Sequence, residues 1–314
     1  MTVLDRFCAS SPVRKAIALW LADKSSAMTR SEYEKDLRYF FETMAGEPLR
    51  DELVMSFLGV MPAQANAALM AYKGRLVEKG LAPTTINRKL STIKSFVAAA
   101  NKLGLCQFSV KDAVKSEKLK PYRDTTGIPP AQFKQVLVLC DRTSPVGKRD
   151  YALLTLLWSN ALRRNEVSQL DVGDFDPSER RLWIRGKGHN EKLPVDLPLA
   201  TTSALCDWLA TRGRLSGRDP LFTAVDFKSA GHRLSGDGIY KLVRRYCQKA
   251  GINKPMSPHR LRHSSITSAL DKTKGNVRAV QKLSRHKNLN TLLIYDDNRS
   301  QIQLELSELL LDGF

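Results

Sequence analysis

The sequence predicts a mainly α-helical protein of two domains, with one small β-hairpin in the second domain. The chain has 314 residues, and single hydrophobic cores usually stop growing at about 250–300 residues, so two cores are expected. Hydrophobic residues make up 42% of the sequence, which is enough to fill them. Apolar residues recur with the helical period over most of the chain, and one segment alternates with the period of a strand.

The N-terminal domain is expected to span residues 1–114 and to be helical. One helix should begin at the capping-box pattern Thr29-x-x-Glu32, which precedes an apolar stripe of Tyr33, Leu37, Phe40 and Met44. A second should begin at Pro83 and end near Gly104, and its apolar face consists of Ile86, Leu90, Ile93 and Val97.

Residues 115–130 are expected to form a basic linker. This segment is rich in lysine and proline and has no apolar period, which is typical of an extended connection between domains. It is either a solvated tether or a strap that follows a nucleic-acid backbone.

The C-terminal domain is expected to span residues 131–314 and to mix helices with the hairpin. Arg181–Arg185 alternates with period two, Gly186–Asn190 forms a turn, and Lys192–Val195 returns. Helices are predicted over 131–140, 149–158, 199–212, 238–250, 259–271, 276–283 and 302–311.

The charge indicates a polyanionic partner. Fifty Lys and Arg residues against 32 Asp and Glu residues give a net charge of +18. Cutting the chain after Lys118 leaves 18 basic and 12 acidic residues (+6) before the cut and 32 and 20 (+12) after it. Both domains are therefore expected to contact the same polyanion, a nucleic acid or an anionic membrane surface. No apolar stretch approaches the ~20 residues of a membrane span. Five widely spaced cysteines argue against a disulfide framework and favour a reducing, intracellular compartment.

The densest group of chemically active side chains is His259, Arg262 and His263. At positions i, i+3 and i+4 of a helix these side chains share one face. Paired histidines can bind zinc, but a metalloprotease helix carries Glu after the first His, and here that residue is Arg260. An anion site, with imidazoles and a guanidinium fork matching phosphate oxygens, is the preferred interpretation over a metal site or a plain surface helix.

Other motifs surround this group along the sequence. Arg163-x-x-Glu166 follows an apolar helix, Lys187 lies in the Gly-Lys-Gly turn of the hairpin, and His286 precedes Tyr295 by nine residues. Any one of them is weak evidence, since a lone tyrosine is usually a core residue and a lone turn lysine is usually only solvated.

Taken in order, these motifs resemble those of the tyrosine recombinases, the family of phage integrases and chromosome-dimer (Xer-like) recombinases. The resemblance runs from about residue 13 to residue 295 and rests on Arg163, Lys187, His259-x-x-Arg262, His286 and Tyr295. Two positions depart from the family pattern, because Ala161 and Arg285 stand where glycine is common. The change at Arg285 adds a further candidate phosphate contact.

The resemblance implies a helical core-binding (SAM-like) domain and a mixed α+β catalytic domain that form a C-shaped clamp. It also implies a site-specific recombinase that cuts DNA through a 3′-phosphotyrosyl intermediate, for integration, excision or dimer resolution. Tyr295 would be the nucleophile, Arg163 and Arg262 would bind the phosphate, His259 and His286 would assist proton movement, and Lys187 would be the general acid. Neither a cofactor nor a metal is expected, since no carboxylate cluster or nucleotide-binding loop is evident.

Double-stranded DNA is the expected partner, bound by a homo-tetramer on two recombination sites, with accessory proteins in some systems and no membrane. The expected location is the cytoplasm, at the nucleoid. Further DNA contacts are predicted at Arg88, Lys89, Lys94, Lys118, Lys120, His263 and Arg285. A type IB topoisomerase and a catalytically inactive DNA-binding regulator of the same fold remain the alternatives.

Overall fold

The computed structural model describes residues 11–118, 127–186, 191–225 and 230–286, together with 288–289, 292, 307–308 and 310–311. The chain divides into two compact units between Pro121 and Tyr122, inside the segment predicted as a linker. Each unit has its own hydrophobic core.

The N-terminal unit is helical, with helices α1 (Pro12–Ala22), α2 (Ala27–Ala45), α3 (Asp51–Leu58), α4 (Pro62–Glu78) and α5 (Pro83–Lys102). Proline occupies the first turn of α1, α4 and α5, where its missing N–H has no intrahelical partner to lose. The predicted start of α5 at Pro83 is confirmed. The capping box at Thr29 is wrong, because α2 begins earlier and the Ser26 hydroxyl accepts the Thr29 N–H at 3.5 Å.

Aromatic rings fill much of this core. The Phe40 ring makes edge-to-face contacts with those of Phe41, Phe57 and Tyr72, at centroid separations of 5.1, 5.2 and 4.9 Å. Trp20 of α1 packs in the same way on Phe96 of α5. Pairs of this geometry add roughly 0.5–1.5 kcal/mol each to the free energy of burial, which ties α2 to α3 and α4, and α1 to α5.

A buried carboxylate joins α2 to α5. Asp36 is 2% exposed, and its carboxylate accepts from Lys89 Nζ at 3.0 Å and from the Arg88 guanidinium. The Lys89 ammonium also lies 3.6 Å from the centre of the Tyr39 ring. The Lys89 ammonium, predicted as a DNA contact, is therefore buried and paired inside the domain. The Arg88 guanidinium, also predicted as a DNA contact, pairs with the same carboxylate.

Three further DNA contacts were predicted in this domain and the linker that follows it, at Lys94, Lys118 and Lys120. Lys94 donates to the carbonyl of Val114 at 2.8 Å, and burial lowers the pKa of this ammonium. The Lys94 side chain thus attaches the end of the domain, at Val114, to α5 rather than projecting from the domain. Lys118 is exposed, and Lys120 lies outside the described residues.

The first residues of the predicted linker are held on the N-terminal unit. Asn87 exchanges two hydrogen bonds with the backbone of Glu117, at 3.0 and 2.7 Å. Lys73 donates to the Lys115 carbonyl at 2.9 Å and pairs with the Glu117 carboxylate at 2.7 Å. Composition predicted an extended linker from residue 115, but these side-chain contacts attach residues 115–117 to α4 and α5.

The C-terminal unit consists of helices and a small antiparallel sheet. Its helices are α6 (Pro130–Val138), α7 (Pro145–Ser159), α8 (Arg164–Ser168), α9 (Leu199–Leu209), α10 (Gly236–Lys249), α11 (Pro258–Lys272) and α12 (Val277–Ser284). The predicted start of α7 at residue 149 is late, because the Ser144 hydroxyl caps the helix by accepting the Gly147 N–H at 3.1 Å.

The sheet has the order β1 (Phe175–Asp176), β2 (Arg181–Arg185) and β3 (Lys192–Asp196). The predicted hairpin is confirmed, with Arg185 opposite Lys192 at the end next to the turn. The two-residue strand β1 was not predicted, since it is too short to show alternation. Residues 187–190 of the turn, including Lys187, lie outside the described residues.

A small apolar cluster gathers the segments that carry the predicted catalytic residues. Ala161 in the turn after α7 packs with Ile266 and Leu270 of α11, Val280 of α12 and Leu292. All five are at most 2% exposed. Burial of this cluster therefore fixes the turn, α11 and α12 relative to one another.

Most of the helix predicted over 302–311 lies outside the described residues. Two residues of that range that the structure does describe, Leu310 and Leu311, are helical, with exposures of 74% and 70%. No single helix in the described ranges has the length and apolar composition to cross a membrane; α3 and α4 meet that test only as a pair, bent by 118°.

Asp36→Ala is expected to destabilise the N-terminal unit by about 3 kcal/mol, because it leaves the Lys89 ammonium buried without its carboxylate. Hydrogen exchange of the α5 amides measures this opening free energy. The matched control is Glu34→Ala on the same helix, which breaks an exposed pair with Arg38 and should cost less than about 1 kcal/mol. Equal losses in the two variants would contradict the structural role of Asp36.

Candidate active site

The site begins at the short helix α8, where Arg163 precedes the first turn. The buried Glu166 carboxylate accepts the backbone N–H of Arg163 at 2.8 Å and its Nη1–H at 2.7 Å. A carboxylate at the start of a helix is favoured by the helix dipole, and here it also orients the arginine. The Arg163 side chain remains 33% exposed, so its guanidinium is both fixed and open to a ligand.

The turn before Arg163 has an unusual backbone. Ala161 adopts a left-handed conformation with φ of 45° and is fully buried. At this position, where the family commonly has glycine, an alanine therefore adopts a glycine-like conformation. Its carbonyl oxygen accepts from Arg262 and, at 3.2 Å, from Arg285.

Helix α11 supplies the His259, Arg262 and His263 group. The helix begins at Pro258, and the Ser257 hydroxyl caps it by accepting the Arg260 N–H at 3.2 Å. Arg262 is only 2% exposed, and its two terminal nitrogens donate to the carbonyls of Ala161 and Ser284. These bonds fix the plane of the guanidinium between the α7–α8 turn and the end of α12.

The histidines lie around this guanidinium. His286 Nε2 is 3.4 Å from Arg262 Nη2, and its carbonyl accepts from the Gln281 amide at 3.0 Å. His259 and His263 contact each other through their Nε2 atoms at 2.8 Å. Such a contact requires one ring to donate and the other to accept, so at least one of the two is neutral.

Burial keeps two of the imidazoles neutral. It lowers the pKa of His263 to about 3, with the neighbouring His259 and Arg262 acting in the same direction. It lowers the pKa of His286 to about 4, with further contributions from Arg262 and Arg163. Near neutral pH both rings can therefore donate one hydrogen bond and accept another.

The structure brings five of the predicted site residues into one region: Arg163, His259, Arg262, His263 and His286. Lys187 and Tyr295 lie outside the described residues. In the described parts of the chain, no three His, Cys, Asp or Glu side chains are grouped as metal ligands.

Arg285 is placed differently from its prediction. Its Nη1 donates to the carbonyls of Asn160 and Leu283, at 3.1 and 2.8 Å, and its Nη2 donates to Ala161 and to Glu166 Oε2, at 3.2 and 3.3 Å. The side chain is 17% exposed. The prediction of a phosphate contact does not agree with these bonds, because the guanidinium faces into the domain.

Sequence reasoning missed the part played by Glu166 and the basic face of α10. Glu166 was noted only as part of a motif, although its spacing from Arg163 is that of a helix-start contact. Helix α10 packs beside α8, where Arg164 Nη1 lies 3.8 Å from Asp237 Oδ1. Its exposed residues include Lys241 and Arg244, and the amphipathic sequence of this helix is the signal that indicates its basic face.

The arrangement suits an anion. Arg163 and Arg285 flank the Glu166 carboxylate, and the Arg262 guanidinium lies beside His286, so the described charges of this region have a positive balance. Two neutral imidazoles add hydrogen-bond capacity without adding charge. A tetrahedral oxyanion such as a phosphodiester matches these donors.

Comparison with known proteins identifies related chains. A family model described as the phage integrase family matches residues 128–301. "Tyrosine recombinase slr0733" of Synechocystis sp. is 48% identical over 292 residues, which cover 93% of each chain. "Tyrosine recombinase Synpcc7942_B2651" of Synechococcus elongatus is 44% identical over 293 residues, covering 93% of this chain and 91% of that one.

Solved structures share the fold at low sequence identity. The XerH site-specific recombinase in a post-cleavage complex with palindromic difH substrate gives a TM-score of 0.69 at 21% identity, covering 97% of this chain and 86% of that one. A lambda integrase dimer bound to a COC′ core site gives 0.67 at 13% identity, with coverages of 91% and 77%. On the family match and the two full-length relatives, this chain belongs to the phage integrase family of tyrosine recombinases.

Proposed function

We propose that this protein is a site-specific recombinase that cuts and rejoins duplex DNA through a tyrosine–phosphate bond. The observation that carries the proposal is the grouping of Arg163, Arg262 and His286 in one region. Arg262 and His286 are 3.4 Å apart, and Glu166 fixes Arg163 beside them. Family membership supports the same function.

The two arginines would stabilise the transition state of phosphoryl transfer. Charge in that state spreads over the non-bridging oxygens of the phosphate, and a planar guanidinium fork can bind two such oxygens at once. Because contacts within the protein fix both groups beforehand, little reorganisation is needed when the charge develops. His259 and His286 would hydrogen-bond the same phosphate and assist proton movement.

Tyr295 and Lys187 would make and break the bonds. The phenol oxygen of Tyr295 forms a bond to phosphorus as the bond to the 5′ oxygen breaks. The phenol passes its proton to a neutral imidazole of the site, and Lys187 supplies one to the departing 5′ oxygen, so the products are a 3′-phosphotyrosyl link and a 5′-hydroxyl. The new link retains a phosphodiester for rejoining, and the reaction needs no ATP. These two roles rest on the family motifs.

Basic residues of both domains would bind the DNA backbone. The portions before and after Lys118 carry net charges of +6 and +12. Lys118, Lys241 and Arg244 are exposed, and we propose them as phosphate contacts. Since each neutralised phosphate releases counterions, the affinity should fall steeply with salt.

We also propose that four copies act on two DNA sites. The support is the apolar end of the chain, where Leu310 and Leu311 are largely exposed. Exposed leucines on a helix are typical of a surface that packs on another protein. A neighbouring copy is the occupant that recombination between two sites requires.

The wild-type protein is expected to form a detergent-resistant covalent complex with a nicked suicide duplex, and Tyr295→Phe is expected to form none. The duplex is recovered beforehand from a randomised pool by its retention on the protein. Gel electrophoresis after boiling in detergent measures the adduct. Equal trapping by Tyr295→Phe would remove Tyr295 as the nucleophile, and no trapping by the wild type would favour the inactive regulator.

The same preparations distinguish a recombinase from a topoisomerase. Supercoiled plasmid that lacks the recovered sequence should remain supercoiled, because cleavage depends on site binding. Brisk relaxation of such a plasmid would favour type IB topoisomerase activity instead.

Arg163→Ala is expected to slow single-turnover cleavage by about 10²–10³-fold, the usual loss when one donor to a developing oxyanion is removed. Lys187→Ala should also slow cleavage while DNA binding stays nearly intact. Quenched-flow trapping gives the rates, and fluorescence anisotropy gives the affinity. A loss of affinity as large as the loss of rate would make either residue a binding group only.

The imidazole signals of His263 and His286 are expected to keep neutral-form shifts as the pH falls from 8 to 5, a window in which an ordinary histidine titrates. Their folded pKa values of about 3 and about 4 lie below the ordinary 6.5. The unfolded chain therefore binds protons that the folded chain does not, and stability falls as the pH drops from about 6.5 toward these values. Two-dimensional NMR of the histidine rings measures this, with the exposed His232 as an internal reference. Midpoints near 6.5 for both rings would contradict their burial.

A further inference from the structure

Arg285 is a charged residue in a place that favours glycine. It ends α12 in a left-handed conformation, with φ of 56° and ψ of 37°, and its N–H bonds the Gln281 carbonyl at 2.7 Å. A side chain in this conformation costs roughly 1–2 kcal/mol relative to the right-handed one. The side chain of Arg285, which carries this conformational cost, faces into the domain.

Among the described residues, the hydrogen bonds of that side chain are with the α7–α8 turn, with α8 and with α12 itself. Three backbone carbonyls accept from its terminal nitrogens: those of Asn160, Ala161 and Leu283. Its fourth acceptor is the Glu166 carboxylate, at 3.3 Å. The planar fork of a guanidinium can serve four acceptors at once, which a lysine ammonium with three protons cannot.

Both catalytic arginines share acceptors with Arg285. The Glu166 carboxylate receives Arg163 on Oε1 and Arg285 on Oε2. The Ala161 carbonyl receives Arg262 and Arg285. Arg285 thus contacts the supports of Arg163 and Arg262, and its own guanidinium faces into the domain.

We propose that Arg285 is a positioning residue that sets the geometry of Arg163 and Arg262 through Glu166 and the Ala161 carbonyl. This inference rests on the recombinase function proposed above and assigns to Arg285 an effect on rate rather than on DNA affinity. The left-handed residues Ala161 and Arg285 form one unit in this account. The left-handed backbone of Ala161 orients its carbonyl toward the Arg285 guanidinium. The left-handed backbone of Arg285 places that guanidinium within hydrogen-bond distance of the carbonyl.

The first test compares Arg285→Met, Arg285→Gly and Arg285→Lys with the wild type on the recovered suicide duplex. Arg285→Met and Arg285→Gly are expected to cleave about 10²-fold more slowly, the loss that a misplacement of about 1 Å can cause. DNA affinity should change less than about threefold, because the guanidinium does not face the ligand. Arg285→Lys should recover only part of the rate. Arg278→Met removes an exposed charge from the same helix and should cleave at the wild-type rate.

A double-mutant cycle with Glu166→Gln separates positioning from simple destabilisation. If Arg285 acts through Glu166, Arg285→Met should slow the Glu166→Gln protein far less than it slows the wild type. Additive losses, or wild-type cleavage by Arg285→Gly, would overturn the inference.

A second readout needs no DNA and no activity. In nitrogen-edited NMR spectra of the whole protein, the Arg163 side-chain N–H signal should be sharp in the wild type and in Arg278→Met, and broadened or lost in Arg285→Met. An unchanged Arg163 signal in Arg285→Met would refute the inference even if no covalent complex formed. Absence of trapping by the wild type would refute the proposed function alone.

Discussion

The site depends on one buried carboxylate. Glu166 is 3% exposed on its side chain and lies between two guanidiniums, those of Arg163 and Arg285. A carboxylate buried in this way would be strongly unfavourable without such partners. In return, it fixes an arginine that is still partly open to a ligand, on a helix of only five residues.

Backbone carbonyls perform the same task for the second arginine. Arg262 is buried and donates to Ala161 and Ser284, which lie on two segments far apart in the sequence. An apolar cluster around Ile266 and Val280 keeps those segments together. Hydrophobic packing thus positions the carbonyls, the carbonyls position the guanidinium, and burial keeps the nearby imidazoles neutral. Each layer requires the one beneath it.

Periodicity and ordered motifs predicted more of this than composition did. The apolar stripe from Ile86 to Val97 predicted helix α5, and Pro83 predicted its start. Both could be predicted because a buried face and a helix-start proline are local signals. The order of the motifs identified the residues that the structure places together. The start of α2 was predicted wrongly at Thr29, because the Thr29-x-x-Glu32 pattern lies inside a helix that Ser26 caps.

The charged side chains that the fold uses internally have partners distant in sequence. Lys89 lies on α5, yet its carboxylate partner, Asp36, is 53 residues away. Arg285 has acceptors 119–125 residues away. The net charge of +18 favoured a phosphate as the expected partner of each basic residue that lies off the apolar face of a predicted helix. No local pattern reveals which cations the fold uses internally.

The central claim is that both guanidiniums act on one phosphorus beside the phenol of Tyr295. A structure of the protein on its recovered duplex with vanadate replacing the cleaved phosphate tests this most directly. The account predicts Arg163 and Arg262 nitrogens within about 3 Å of non-bridging vanadate oxygens, with the Tyr295 oxygen at an apical position. A vanadate bound by only one of the two arginines, or with Tyr295 of no subunit at the apex, would contradict it.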